Sequence, residues 1–373
     1  MMFALWLSAL LHLYIGWRIV PQLPGPLSAG LFITLLILSA TLIPMGFWGR
    51  RSASRATADR WTWLGMLALG LFSMLLVLTL LRDVLLLLVL PFSLPNLDEP
   101  TAIGVPLLAL AGTLYGLIAA RRTAQVRRVD VSIDGLPAAL HGFTIAQITD
   151  VHVGPTVKAP YVQAIVESVN RLGADAVAVT GDLVDGRVPD LRDDVAPLAG
   201  LRSRHGTFFV TGNHEYYSGA KEWVALLRTM GLRVLTNQHV VLEHDGARLV
   251  MAGVTDHGAH HFDPSQHSDP QAAMAGAPAD AGARVLLAHQ PRAASAAADA
   301  GFDLQLSGHT HGGQFWPWNL FVRLQQPFTA GLHRLRKLWV YTSRGTGYWG
   351  PPLRLGAPSE ITFLRLVPGA LQT

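Results

Sequence analysis

The chain has no cysteine. That excludes disulfide staples and thiolate metal sites, although it leaves the compartment open. It is also poor in charge: Asp, Glu, Lys and Arg make up 14% of the 373 residues. The shortage is uneven. Residues 1–120 run long in Leu, Ala, Val and Phe, most of the charge follows Arg121, and fourteen of the fifteen histidines lie beyond residue 140. No internal repeat is visible, which argues against a solenoid. A basic stripe is missing too. The pI is near 9.6, but the net charge is only +4 and many arginines border apolar runs, so nucleic acid is not an expected partner. Half of the residues are apolar and the mean hydropathy is +0.32, high for a wholly soluble protein. The chain reads as two parts.

The first part, residues 1–128, reads as a bundle of about four transmembrane helices, spanning about 2–20, 27–48, 61–81 and 101–120. Pro, Gly or charge breaks each pair, and no basic leader marks the first span as a signal peptide. Arg50, Arg51, Arg55 and Arg60 crowd the second loop, and Arg121, Arg122, Arg127 and Arg128 follow the last span. Two spans separate these clusters, so both can face the cytoplasm, while Asp98 and Glu99 face outward. The expected partner here is the lipid bilayer, and the second part, residues 129–373, is expected on the cytoplasmic side. Arg82 and Asp83 are the charges that interrupt an apolar stretch.

From Val129 onward, short apolar strands alternate with helical stretches, the pattern of an α/β layered fold. Strands are expected near 143–148, 176–179, 207–210, 248–252, 284–288, 302–306, 338–341 and 361–366. Helices are expected over 161–172 and 221–230. Residues 271–282, rich in Ala, Gly and Pro, read as a solvent-exposed insertion. Five strands each end in a polar cluster: Asp150-x-His152, Gly181-Asp182-x-x-Asp185, Gly212-Asn213-His214-Glu215, His289, and Gly308-His309-x-His311. In open α/β sheets the carboxyl ends of strands are where sites gather. A pair of metals about 3.5–4 Å apart would need about this inventory of carboxylate, amide and imidazole.

In order and spacing, those five clusters resemble the calcineurin-like metallophosphoesterase superfamily over roughly residues 140–365. The preceding spans, with Gly312-Gly313-Gln314, Ser343-Arg344-Gly345-Thr346-Gly347 and Trp349-Gly350-Pro351-Pro352, resemble its bacterial membrane-anchored branch. The resemblance implies a layered sheet sandwich flanked by helices, and a multi-pass protein of the cell (inner) membrane. It assigns Asp150, His152 and His311 to one metal, Asn213, His289 and His309 to a second, and Asp182 to a bridge between them. His214 then faces the substrate as the catalytic acid, with a metal-bridging hydroxide as nucleophile. Asp185 and Glu215 read either as groups that orient ligands or as acidic residues at helix N-termini. Mn2+ is favoured for both ions, with Fe, Zn or Mg as alternatives.

The implied activity is hydrolysis of a phosphoester or pyrophosphate. The membrane anchor points to a lipid-linked substrate, a phospholipid or a UDP-diacylglucosamine-like molecule. The alternatives are a soluble nucleotide or phosphoprotein, or a sensor or scaffold without turnover. Arg187, Arg344 and Trp316 are candidate substrate contacts, with surface ion pairing or a loop covering the sheet as the other reading. His257, His260, His261 and His267 lie in a Gly- and Asp-rich segment and read as a solvated loop. Oligomeric state is not encoded in any of these patterns.

Overall fold

The structure, a computed structural model, describes residues 2–49, 54–92 and 97–369, so Arg50 and Arg51 lie outside the described residues. It divides into two compact units: residues up to Arg121 together with Gly350–Leu355, and Arg122–Trp349 together with Gly356 onward.

The first unit contains α1 (Met2–Ile19), α2 (Gly25–Trp48), α3 (Arg55–Val89) and α4 (Asp98–Arg121). The helices are apolar around most of their circumference, as expected of segments surrounded by protein on one side and hydrocarbon on the other. Ile15, Phe32, Leu36, Phe72, Leu75, Val105 and Ala109 pack into a core. Leu27, Leu31, Leu87, Leu88, Leu107 and Leu108 point outward and stay exposed. Among the described residues, three helical segments are long and apolar enough to cross a membrane: Gly25–Trp48, Arg55–Phe92 and Asp98–Arg121. At 18 residues, α1 is the shortest of the four helices. Close approach of α2 and α3 depends on Gly46 and Gly65, since a Cβ on Gly46 would lie 2.7 Å from the Gly65 Cα.

The charges inside α3 are satisfied within the bundle. Buried Arg82 donates from Nε to Thr101 Oγ1 at 2.9 Å and from Nη2 to the Asp98 carbonyl at 3.0 Å. Asp83 accepts from Arg18 Nε at 2.9 Å and from the Tyr14 hydroxyl at 2.5 Å. Pairing of this kind is what lets ionised groups persist among apolar helices.

The second unit begins with β1 (Gln125–Ile133) and β2 (Thr144–Ile148), then α5 (Ala159–Asn170), β3 (Ala176–Thr180), α6 (Val188–Val195) and β4 (Thr207–Val210). Next come α7 (Asn213–Ser218), α8 (Ala220–Thr229), β5 (Arg233–Val234), β6 (Gln238–His244), β7 (Ala247–Gly253) and α9 (Pro270–Met274). The chain continues through β8 (Ala283–Leu287), α10 (Ala294–Asp299), β9 (Leu304–Ser307), α11 (Trp318–Phe321), β10 (Gly331–Leu335), β11 (Leu338–Thr342) and β12 (Glu360–Pro368).

Two six-stranded sheets result, ordered β1-β12-β2-β3-β4-β5 and β10-β11-β9-β8-β7-β6. Within them, β2 to β5 are mutually parallel, as are β7, β8, β9 and β11. Alternate residues of both sheets share one core, among them Ile145, Phe208, Leu249, Val285, Leu306 and Leu364. This is the expected layered sandwich, with side chains of each strand alternating between the shared core and the helix-covered outer face.

Two details differ from the sequence reading. The boundary placed after Arg128 falls inside β1, whose charged Gln-Val-Arg-Arg start looks like a loop flanking a membrane. Pairing in parallel with the distant β12 makes it a strand. Residues 271–282 are not simply an exposed insertion: Ala273 and Ala281 are buried against Val250, Leu286 and Phe302. Small side chains suit such close packing, and composition alone does not distinguish that from a loop.

Candidate metal centre

The five polar clusters all follow strand ends: β2, β3, β4, β8 and β9. At those ends the chain adopts backbone conformations that few residues accept. Asp150, His152, Asp182, His309 and His311 all have positive φ, between 50° and 70°. Non-glycine residues in this region carry strain, and such strain concentrates at functional sites. Between the turns the approach is very close. A Cβ on Gly181 would lie 2.6 Å from the Gly212 nitrogen and 2.8 Å from His289 Nδ1, so only glycine fits.

Three groups of side chains that could hold a metal result, each with donor atoms within 4.8 Å of one another: Asp150, His152 and His311; Asp182, His289 and His309; and His152, Asp185 and His214. Asp182, of the second group, also approaches members of the other two. Its Oδ2 is 3.1 Å from His289 Nε2, 3.9 Å from His152 Nε2 and 4.0 Å from His214 Nε2. His152 and His311 face each other through Nε2 atoms 3.0 Å apart, and His311 Nε2 is 3.4 Å from Asp150 Oδ1. His309 Nδ1 lies 3.2 Å from His289 Nε2.

Surrounding groups set which ring nitrogen is available. Asp185 Oδ1 accepts from His152 Nδ1 at 2.9 Å and from His214 Nδ1 at 2.6 Å. One carboxylate oxygen therefore turns the Nε2 atoms of two histidines toward the centre. His289 Nδ1 donates to the Thr180 carbonyl at 2.8 Å, with the same effect. Orienting contacts of this kind are usual behind imidazole ligands. Asp150 accepts from the Thr149 hydroxyl and from the His309 N–H.

Buried Glu215 accepts three backbone N–H groups, from Asp182, Leu183 and Gly212, and so ties the β3 turn to the β4 turn. Of the two readings left open for Asp185 and Glu215, both side chains have the contacts of orienting groups. Glu215 also stands in the first turn of α7.

The electrostatics are those of a site that calls for positive charge. Burial works against protonation of His152, but Asp185 outweighs it and raises the imidazole to about 9. For His289, burial is likewise overcome, chiefly by Asp182. His309 is pushed down to about 3 by burial and by neighbouring His289, which keeps it neutral. Burial and then Asp182 push Glu215 up to about 7. Burial and the same neighbour raise Asp150, while the histidines overcome the effect of burial at Asp182 and lower it.

The donor set fits divalent cations. It offers carboxylate oxygen and imidazole nitrogen, and the buried Asn213 Oδ1 has no hydrogen-bond partner. A buried acceptor without a partner, on the residue directly before His214, is what a metal-ligating amide would leave.

Arg344 packs beside Gly312, the residue after His311: a Cβ on that glycine would lie 3.0 Å from the Arg344 Cγ. Arg344 pairs with Glu360 at 2.9 Å, and the Tyr341 hydroxyl donates to the same carboxylate. Trp316 is half-buried in the loop after His311. Arg187 stands just before α6. Among His257, His260, His261 and His267, the His260 ring meets those of His261 and His267 at tilts of 41° and 40°, and His260 and His267 turn to backbone carbonyls. They are not among the metal-ligating groups found in the described residues. Thr149 and Thr180 were not singled out from sequence. The available signal was a threonine directly before each Asp or Gly-Asp turn.

Residues 143–313 match the family model of the calcineurin-like phosphoesterases. A Bos taurus protein, "Transmembrane protein with metallophosphoesterase domain", is 41% identical over 265 residues, covering 68% of this chain and 60% of its own. A Helicobacter pylori "Uncharacterized metallophosphoesterase" is 38% identical over 265 residues, covering 70% of this chain and 69% of its own. An Aquifex aeolicus protein of the same description is 31% identical over 244 residues, covering 65% of this chain and 91% of its own. The chain spans about 60% of the length of the bovine relative and of a similar Danio rerio one. This chain belongs to the calcineurin-like metallophosphoesterase family.

Proposed function

We propose that this calcineurin-like metallophosphoesterase is a membrane-anchored hydrolase that cleaves a phosphoester or pyrophosphate in a lipid-linked substrate, a phospholipid or a UDP-diacylglucosamine-like molecule. The observation that carries the chemistry is the position of Asp182 Oδ2, within 4.0 Å of His289, His152 and His214. Asp150, His152 and His311 would hold one cation, Asn213, His289 and His309 a second, and Asp182 would be shared. Bound there, divalent cations would supply Lewis-acid polarisation and neutralise phosphoryl charge. Manganese is our choice, because the donors are oxygen and imidazole without sulfur.

His214 serves as the acid. Its Nδ1 is held by Asp185, so Nε2 is the nitrogen that faces the centre and delivers a proton to the departing oxygen. Its side chain stays partly exposed, as an acid that must meet substrate requires. Glu215 keeps the Asp182 and Gly212 turns in register through its backbone contacts.

Support for a lipid-linked substrate is the pairing, on one chain, of this unit with three helices of membrane-spanning length and apolarity. What supports a cytoplasmic catalytic unit at the inner membrane is the arginine pattern, Arg55 and Arg60 in one loop and Arg121 and Arg122 after the last span. The chain has no cysteine, so single cysteines introduced in that unit can be tested with an impermeant label in intact cells. Labelling from outside would overturn the orientation.

The activity test uses the full detergent-solubilised chain, stripped of metal and resupplied with manganese. Bis(p-nitrophenyl) phosphate, p-nitrophenyl phosphate and a UDP-diacylglucosamine-type lipid are compared. We expect metal-dependent turnover, preference for the lipid, and loss in Asp182→Ala and His214→Ala. Equal rates on water-soluble esters would defeat the lipid assignment, and metal binding without turnover would defeat the enzyme.

A further inference from the structure

We propose that Tyr217 and Trp349 form a platform for the leaving group, and that the group taken there carries a planar aromatic ring close to the scissile oxygen, as an aryl or nucleoside ester does. The inference rests on the phosphoesterase reading and on His214 as its acid.

Large aromatic side chains are normally buried, so their exposure beside a reactive group is informative. Tyr217 is 63% exposed and Trp349 54% exposed. Both rings contact the His214 imidazole, with centroids 5.2 and 5.9 Å away and planes inclined at 70° and 75°. Phe262, 53% exposed, continues the surface, 5.5 Å from Tyr217. None of these rings is needed to position Nε2 of His214, because Asp185 already holds Nδ1.

The rings are held from behind. Tyr217 follows His214 by three residues on α7, so the two share a helix face. Trp349 is fixed through its backbone: Gln314 Oε1 accepts its N–H and Gln314 Nε2 donates to its carbonyl, both at 2.8 Å. Gln314 is itself buried, at a positive φ of 59°, three residues beyond His311. The loop that carries two of the metal-ligating histidines thus also sets the tryptophan. A pre-positioned flat surface loses little freedom when a ligand stacks on it.

In the reaction, water oxygen forms a new bond to phosphorus and the bond from phosphorus to the leaving oxygen breaks. That oxygen keeps the electron pair and takes a proton from His214 Nε2. The attacking water releases one proton to solvent and His214 takes one back, so the net change is addition of water across the bond. An aryl ring on the leaving oxygen, or a base held a few atoms away on a ribose, then falls within reach of rings 5 to 6 Å from the imidazole. Aromatic faces accept any flat ring, which gives selectivity for planarity rather than for one base.

The test compares two phosphonates of equal charge and similar bulk, benzylphosphonate and cyclohexylmethylphosphonate, as inhibitors of bis(p-nitrophenyl) phosphate hydrolysis by the manganese-loaded full chain. The planar compound is expected to bind roughly ten-fold tighter, in keeping with one stacking contact. Tyr217→Leu and Trp349→Leu keep apolar bulk without the flat face and should reduce the difference to about two-fold or less, whereas Tyr217→Phe retains it. Equal inhibition of the parent enzyme by both compounds, or a preference that survives both leucine variants, overturns the platform and leaves the phosphoesterase reading intact. Absence of reporter hydrolysis by the metal-loaded parent enzyme overturns both.

Discussion

Replacing Glu215 with glutamine tests whether one buried carboxylate holds two active-site turns together. The side chain is fully buried. Its Oε2 accepts the N–H groups of Asp182 at 3.0 Å and Gly212 at 2.6 Å, and Oε1 accepts that of Leu183 at 2.7 Å. Glutamine has nearly the same shape but only one acceptor oxygen. If that oxygen takes the Oε2 position, the amide NH2 faces the Leu183 N–H, donor against donor. The loss is one charge-assisted bond of about 1.5–3 kcal/mol, a buried unpaired donor, and weakening of the two remaining bonds. A neutral amide recovers part of the cost of burying charge, so we expect a net loss of about 2 kcal/mol.

For a unit of this size that corresponds to a fall of roughly 4–8 °C in melting temperature. Tryptophan fluorescence during heating of the full chain in detergent reads it directly, since ten tryptophans are present. Turnover should fall as well, because the turns carrying Asp182 and Asn213 lose their tie. Glu215→Ala, which leaves all three donors unpaired, should be worse on both counts. A glutamine variant that melts within about 1 °C of the parent and turns over normally would refute the reasoning.

Other expectations follow from equally local contacts. His214→Gln should reduce kcat by about 10²–10⁴-fold for an alkyl leaving group and much less for p-nitrophenolate, which departs without a proton. Bound-metal content measured by elemental analysis should be unchanged, and parallel losses on both leaving groups would remove His214 from the acid role. Gly65→Ile places a branched side chain where a single Cβ would already lie 2.8 Å from the Leu42 carbonyl, and should open the α2–α3 packing. Protease sensitivity of the helical unit should rise, and an unchanged digestion pattern would contradict the close crossing.

The last expectation concerns acid. Burial, and then the facing His244, lower the pKa of His205 below its ordinary 6.5. Its neutral form thus contributes stability that is complete above 6.5 and is lost as pH falls toward the lowered folded-state value. Between pH 8 and pH 5.5 the parent should lose more melting temperature than His205→Gln, and identical losses would exclude the pair as a cause.

The sequence alone determined the candidate donor types, their order and the two-part composition of the chain. Apolar length and arginine clustering are local properties, and so are Asp-x-His, Gly-Asp-x-x-Asp and Gly-His-x-His at the ends of short apolar runs. The layered α/β fold was legible for the same reason, because alternation of strand and helix is written in neighbouring residues. Pairings between distant segments were not. Gln125–Ile133 resembled a charged flank until the last strand, Glu360–Pro368, paired with it in parallel. The pairing of Arg344 with Glu360 was likewise invisible, since sixteen residues separate the two. The shared grip of Asp185 on His152 and His214, the three N–H groups converging on Glu215, and Trp349 beside His214 all join segments far apart in the chain. Such contacts carry no periodicity or spacing to read. They arise from the positions of strand ends in the sheets, which only the packed tertiary structure decides.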